Sequence, residues 1–201
     1  MIYMKKFLLL SLASFLLYSG SAGAGNYADP RLDAVASEVA GKPVQVWCET
    51  SIIDWVTIGA GNYSGFTFIG IPIVYIAPRQ CETLHALLSR ENIGSYYAAS
   101  AILTLAHEAV HQRGVLNEGE TDCLALPLVP TLAVKHFGIP ATVTVNTVVR
   151  SLRLLRVKTK WVRVFDTKLV AKIVPNPFLA LITRDALRWH KSKPAEYQGN
   201  C

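Results

Sequence analysis

The chain has 201 residues, with 20 Lys and Arg against 14 Asp and Glu, and so carries a formal net charge of +6. This length suffices for one domain with a substantial hydrophobic core. The charge excess is too modest to indicate a nucleic-acid partner by itself. After the N-terminal region, no run of about 20 uncharged apolar residues predicts a transmembrane helix.

The N-terminal residues have the composition of a secretory signal peptide. Lys5 and Lys6 precede a short apolar run over 7–18, and small residues follow at 21–24. This order predicts cleavage after Ala24, with a retained anchor as the alternative. We therefore expect residues 1–24 to be a signal peptide, residues 25–201 to form a single domain, and the mature protein to be secreted, in the periplasm or outside the cell.

An even number of cysteines in an exported chain favours disulfides over metal ligation. None of the four has CxxC spacing, and three pairings are possible. We favour one disulfide before the central motif and a second that ties the C-terminus to it. The candidates are Cys48 with Cys81, and Cys123 with Cys201.

The mature chain opens with signals for a helix and then changes to strand-like runs. Asp29 and Pro30 precede an amphipathic run that Gly41 closes, which predicts a capped helix. Runs at 44–47, 66–69 and 71–77 are rich in β-branched and aromatic residues and predict strands. Pro72 predicts that the last of these strands lies at an edge of its sheet.

Helical patterns dominate after residue 78. We expect helices over 79–89 and 95–113, the second ending at Gly114, and a further helix over 118–135 that bends near Pro127 and Pro130. The region from 141 to the end also reads as mostly helical, with breaks at Pro175 and Pro177. The predicted class is α+β and mostly helical, with a small N-terminal sheet packed on the 95–113 helix and a helical C-terminal part.

The 95–113 helix carries the sequence HEAVH. Residues four apart share a helix face, so His107 and His111 can offer two imidazoles to one metal ion, with Glu108 beside them. The alternative is a helix that merely exposes polar residues. An apolar stripe favours burial of the helix and consists of Ala98, Ile102, Leu105 and Ala109.

A catalytic zinc site usually has three protein ligands and an open position for water. The sequence after His111 is acidic, and Gly114 allows the backbone to turn back toward the ion. We rank Glu118 first as the third ligand, Glu120 second and Asn117 third, because a carboxylate binds zinc better than a neutral amide.

These residues resemble the zincin metallopeptidases, in particular the gluzincins, in which a glutamate ligand and an aspartate four residues later follow the HExxH helix. The resemblance covers residues 107–123 only. It implies that Glu118 is the third zinc ligand, that Glu108 is the general base, and that Asp122 orients a ligating histidine. The separation of His111 from Glu118 is short for gluzincins, and metzincin spacing would instead place Asn117 as the ligand.

The expected function is that of a secreted Zn²⁺-dependent hydrolase, a peptidase in which zinc activates water and Glu108 accepts its proton. By the same resemblance, a peptide or protein substrate pairs with an edge strand, for which 71–76 is the candidate. One alternative is a secreted or envelope-associated binding protein on a zincin-like scaffold. Another is hydrolysis of an amide or ester outside proteins, such as a cell-wall peptide bridge.

Several residues remain without an assigned role. We expect His85, His136 and His190 not to bind metal, because none has a ligand spacing to another. The oxyanion partner is left open among Arg113, His136, His190, Tyr96 and Tyr197.

A basic stretch over 150–163 predicts a solvated face of a helix or strand, or attraction to an anionic membrane or cell wall. It contains Arg150, Arg153, Arg156, Lys158, Lys160 and Arg163. We expect a monomer that binds no nucleic acid.

Overall fold

A computed structural model describes residues 26–157 and 160–197, with side chains for 29–145, 172–195 and 197. The predicted signal peptide, its cleavage site and Cys201 lie outside these residues. In chain order the elements are β1 (Asn26–Ala28), α1 (Pro30–Ala40), β2 (Gln45–Glu49), α2 (Ile52–Thr57), β3 (Gly65–Thr67), β4 (Ile73–Ile76), α3 (Pro78–Leu88), α4 (Ser95–His111), α5 (Glu118–Ala125), α6 (Val129–Lys135), β5 (Thr142–Val157), β6 (Lys160–Pro175) and α7 (Pro177–Ser192).

Helix α1 begins and ends as its sequence predicts. The Asp29 carboxylate accepts a hydrogen bond from the backbone N–H of Arg31 at 2.8 Å, and Pro30 occupies the first helical turn. Gly41 terminates the helix with φ of +69°, a conformation that favours glycine. The short helix α2 has no counterpart among the sequence predictions.

Four short strands form a sheet in the order β1-β2-β4-β3, in which β2 and β4 are parallel and the outer pairs are antiparallel. The prediction that Pro72 places its strand at an edge is wrong, because β4 lies between β2 and β3. Pro72 precedes the first strand residue, so its missing N–H costs the ladder nothing. Its carbonyl accepts a hydrogen bond from Gln45 N at 2.9 Å.

Helix α4 is the centre of the hydrophobic core. Every residue from Ala98 to His111 is buried, which confirms the predicted apolar stripe and extends it around the helix. The helix contacts β3 and β4 on one side, and α1, α3, α5 and α7 on others. Alanines at many of its positions leave room for these neighbours to approach closely. The HEAVH residues are therefore held on a rigid element.

One disulfide is visible within the described residues. Cys48 at the end of β2 is bonded to Cys81 in α3, with their Cα atoms 5.6 Å apart, so this predicted pairing is confirmed. Cys123 is also disulfide-bonded, whereas the predicted partner Cys201 lies outside the described range.

The C-terminal part differs from its predicted helical structure. Residues 142–157 and 160–175 form two paired antiparallel strands, β5 and β6, and α7 is the one long helix in the described part of this region. Fifteen of the 34 residues over 142–175 are Val, Ile or Thr, whose branched side chains lose rotamer freedom in a helix and suit a strand. The class is nevertheless α+β and mostly helical, as predicted. Among the described helices, none combines the length and hydrophobicity that a bilayer crossing requires.

Candidate metal centre

The two histidines of HEAVH point into one cleft with their ring orientations fixed by hydrogen bonds. Nδ1 of His107 lies 2.5 Å from Oδ1 of Asp122, and Nδ1 of His111 lies 2.6 Å from the carbonyl oxygen of Val115. A carboxylate and a carbonyl can only accept, so both Nδ1 atoms carry the proton and donate it. Nε2 of each histidine is therefore the nitrogen that faces the cleft, and it can bind a metal once it carries no proton.

A sharp turn after α4 supplies both a hydrogen-bond acceptor and a third donor atom. Gly114 adopts a φ of +93°, as a tight reversal requires, and the carbonyl of Val115 returns to His111. Asn117 then caps α5 by accepting from the backbone N–H of Glu120 at 2.9 Å. Glu118, the first residue of α5, consequently faces the two imidazoles.

Three donor atoms converge in this arrangement. Oε2 of Glu118 lies 2.9 Å from Nε2 of His107 and 3.4 Å from Nε2 of His111, and the two Nε2 atoms are 3.0 Å apart. Ligand atoms of one tetrahedral zinc ion lie roughly 3.3 Å from each other, given zinc–ligand distances near 2.0–2.1 Å. The three residues can therefore hold a metal ion.

The two lower-ranked candidates for the third ligand are placed elsewhere. Glu120 and Asn117 are exposed, and the Asn117 side chain is occupied as the helix cap. Among the described residues, the group formed by His107, His111 and Glu118 is the one cluster of His, Cys, Asp or Glu with donor atoms close enough for a metal.

Asp122 links His107 to His190 in the C-terminal helix α7. Its side chain is 0% exposed, and Nδ1 of His190 donates to its Oδ2 at 2.9 Å. Nζ of Lys193 donates to both carboxylate oxygens, at 2.8 and 2.9 Å. His190 and Lys193 therefore support the site from 68 and 71 residues away in sequence, and no local pattern signals this contact.

Hydrogen bonds determine the pKa values of Asp122, His107 and Glu118. Burial raises the pKa of Asp122, but hydrogen bonds and charge from His107 and Lys193 outweigh it and lower the pKa to about 2. Burial lowers the pKa of His107, while its bonds to Asp122 and Glu118 raise it to about 9. The hydrogen bond with His107 lowers the pKa of Glu118. Asp122 and Glu118 are therefore charged at neutral pH.

Glu108 lies in the same cleft, but its surroundings raise its pKa instead of lowering it. It is almost entirely buried, and burial raises its pKa to about 7 despite the opposing effect of His107. Strand β3 passes directly over it: a Cβ atom at Gly65 would be 2.9 Å from Cγ of Glu108 and 3.0 Å from Cγ2 of Thr104. A carboxyl group that titrates near neutrality can both accept and release a proton.

The cleft has a volume of about 570 Å³ and is bounded by β3 on one side and by the C-terminal segment on the other. The expected substrate strand, 71–76, is not an edge strand, because β4 is paired on both sides. Strand β3 is at the edge and lines the cleft. The large apolar and aromatic side chains around the cleft are Tyr63, Phe66, Ile69, Leu116, Trp189 and Tyr197.

Most other sequence candidates lie away from the cleft. Nδ1 of His85 lies 3.1 Å from an oxygen of Asp29, and Nε2 of His136 lies 2.8 Å from an oxygen of Glu38. Arg113 donates to the carbonyl of Val39.

Of the residues considered as oxyanion partners, Tyr197 lines the cleft, with its ring centroid 6.3 Å from that of His107. Tyr96 belongs to a separate pocket beside Asp185. Comparison with known proteins gave no match to a family model, to a curated protein or to a solved structure.

Proposed function

We propose that this protein is an exported zinc-dependent hydrolase that cleaves peptide bonds in the manner of the zincin metallopeptidases. One observation carries the proposal: His107, His111 and Glu118 place three donor atoms within 4.8 Å of one another, and Glu108 lies beside them in the same cleft. These are the parts of a metal-activated hydrolytic centre, namely three ligands and a neighbouring base.

The chemistry of the donors favours zinc. Two imidazole nitrogens and one carboxylate oxygen are the ligand set of many catalytic zinc sites. Magnesium and calcium prefer shells made of oxygen atoms, and the site offers too few of them. Asp122 strengthens the preference because a carboxylate behind the ligating histidine makes that imidazole a better donor.

Each residue of the proposed centre has a separate role in the reaction. His107, His111 and Glu118 would hold the zinc ion, which would supply Lewis acidity toward the substrate carbonyl and the attacking water. Glu108 accepts the proton of the attacking water and delivers it to the leaving nitrogen. Asp122, itself held by His190 and Lys193, keeps the imidazole of His107 in the required orientation.

The shape of the cleft suits an extended peptide. The free edge of β3 can pair with a substrate backbone, since an edge strand presents unpaired N–H and C=O groups. Thr104 lies beneath this strand, and within the described residues its buried hydroxyl has no hydrogen-bond partner. Aromatic and aliphatic side chains at the mouth favour substrates with apolar residues near the scissile bond.

The first test is the metal content of the protein purified after export, without chelators. We expect about one equivalent of zinc, and chelator-sensitive cleavage of a peptide library that returns when zinc is added back. Less than about half an equivalent would overturn the metal assignment. A full equivalent without cleavage of any peptide would favour the binding-protein alternative.

Glu108→Gln separates catalysis from metal binding. The amide preserves the size of the side chain but cannot accept the proton, so turnover should fall by roughly 10²–10⁴-fold while zinc is retained. Glu120→Gln is the matched control, because Glu120 is an exposed glutamate on the adjacent helix α5. Equal loss of activity in both variants would contradict the assignment of Glu108 as the base.

A further inference from the structure

The hairpin of β5 and β6 is the longest element pair in the described structure. Each strand has 16 residues, paired from Thr142 with Pro175 to Val157 with Lys160, which corresponds to about 50 Å along the strands. Within the described part of the chain, the extensive contacts of each strand are with the other strand. Two strands alone are marginally stable in water, and among the described elements none packs extensively on this hairpin, so its faces are open to a partner.

The positive charge of the protein is concentrated in this hairpin. Residues 142–175 contain eight Lys and Arg against a single Asp, a net charge of +7. Because the whole chain carries +6, the remaining 167 residues carry a net −1. The basic residues are densest toward the turn, where Arg156 pairs with Trp161 and Leu154 pairs with Arg163.

Apolar residues occur on both faces of the hairpin. Alternate residues of a strand face opposite sides, so Val148, Leu152 and Leu154 share one face of β5. Val149, Leu155 and Val157 share the other. An ordinary half-buried hairpin would confine such residues to a single face.

We propose that the β5–β6 hairpin binds the surface of a membrane that contains anionic lipids. Basic residues interleaved with aliphatic ones, and a tryptophan beside the turn, combine attraction to lipid headgroups with burial in the interface. A nucleic acid would neutralise the cations but leave the apolar residues uncovered. A second copy would bring two +7 hairpins together. The proposal does not depend on the metal centre.

Vesicle sedimentation tests the proposal directly. The exported protein should bind vesicles of phosphatidylcholine with about 30% phosphatidylglycerol and not vesicles of phosphatidylcholine alone. Binding should weaken between 50 and 500 mM NaCl, because salt screens the headgroup charge. Equal binding to both vesicle types would overturn the proposal. So would stronger binding to duplex DNA than to the anionic vesicles, or salt-promoted dimerisation without lipid.

Two matched variants locate the contact. Arg156→Gln/Lys160→Gln removes two charges where the described strands end and should weaken vesicle binding ~30-fold at low salt, since each basic residue near such a surface adds about fivefold. Lys42→Gln/Arg188→Gln removes two exposed charges elsewhere and should bind as the parent does. Equal weakening in both variants would overturn the proposal. Glu108→Gln should bind vesicles normally, which keeps this test separate from that of the catalytic centre.

Discussion

Gly65 and Glu108 lie so close that a Cβ atom at position 65 would be 2.9 Å from Cγ of Glu108. The contact joins the edge strand to the helix that carries the HEAVH residues. Gln112 reinforces it from the next turn, because its Nε2 donates to Thr67 Oγ1 and to the carbonyl of Ile71. Strand β3 and the proposed base therefore form one packed unit.

Gly65→Ala should disturb this unit. The added methyl group also meets Thr104 Cγ2 and the carbonyl oxygen of Tyr75 at 3.0 Å, so either the strand or Glu108 must move. We expect a loss of about 1–3 kcal/mol in the free energy of unfolding and reduced peptide turnover, with zinc retained. Urea denaturation, metal analysis and kinetics measure these effects. Gly94→Ala is the control, because a Cβ atom at position 94 would be 3.6 Å from its nearest neighbour, Cδ2 of Tyr97. Unchanged turnover in Gly65→Ala would refute the prediction.

Replacing Glu118 should remove the third metal ligand. Glu118→Ala should weaken zinc affinity by more than roughly 100-fold. Loss of a residue that only hydrogen-bonds to a metal ligand already weakens affinity by roughly 10–100-fold. Glu120→Ala should bind zinc normally, since Glu120 is exposed and outside the ligand group. Competition with a chromogenic zinc chelator gives both affinities. Full retention of zinc by Glu118→Ala would eliminate it as a ligand.

Asp122 should matter to metal binding and to stability at once. Asp122→Asn keeps the side-chain volume but removes the carboxylate charge that accepts hydrogen bonds from His107 and Lys193, so we expect roughly 10–100-fold weaker zinc binding and a marked loss of stability. Adding Lys193→Met should recover part of the stability because it removes the positive charge that the Asp122 carboxylate balances in the parent. Thermal unfolding of the apo and zinc-loaded proteins compares them. A double variant less stable than Asp122→Asn alone would contradict this coupling.

Asp185 fastens α7 to the start of α4, and its contribution should depend on pH. The hydroxyl of Ser95 donates to Oδ2 of Asp185 at 2.6 Å, and this bond, with the Arg184 guanidinium nearby, lowers the pKa of Asp185 despite burial. A lowered folded-state pKa stabilises the fold above the unfolded value near 3.8, and this stabilisation disappears as the pH falls through the folded-state pKa.

Asp185→Asn should therefore destabilise the protein at pH 7, by about 1 kcal/mol, and by less at pH 3. Urea denaturation at both pH values measures the difference. Ser95→Ala should likewise reduce the difference in the free energy of unfolding between pH 7 and pH 3. Zinc affinity should not change in either variant, because neither residue contacts the metal ligands. A loss of stability in Asp185→Asn that is the same at both pH values would exclude the carboxylate charge as the cause of that loss.

The Cys48–Cys81 disulfide closes a sequence separation of 33 residues that includes α2 and strands β3 and β4. Loop-closure entropy predicts that the bond contributes about 3–4 kcal/mol. The Cys48→Ala/Cys81→Ala variant should lose that amount in denaturant unfolding, and reductant should then have a smaller further effect than on the parent. Equal stability of parent and variant would show that the fold of this segment does not depend on the crosslink.

Much of the local structure was predictable because its signals are local. Asp29, Pro30 and Gly41 define α1 by capping chemistry, and the buried stripe identifies α4. The C-terminal hairpin was mispredicted as helical, although 15 of its 34 residues are Val, Ile or Thr and favour strands; basic residues spaced three apart at 150, 153 and 156 are compatible with either structure. The sheet order was mispredicted at Pro72, because a proline just before a strand resembles one within it.

The sequence by itself determined the chemistry of the proposed centre: two histidines one helical turn apart, a glutamate between them, and acidic residues after a glycine turn. Covalent spacing on a helix fixes those relations. Only the tertiary structure decided which carboxylate faces the histidines, that β3 and not β4 borders the cleft, and that His190 and Lys193 hold Asp122. Glu118 reaches the histidines through the turn at Gly114 and the start of α5, whereas the other contacts join residues tens of positions apart and depend on packing of α7 and β3 around α4.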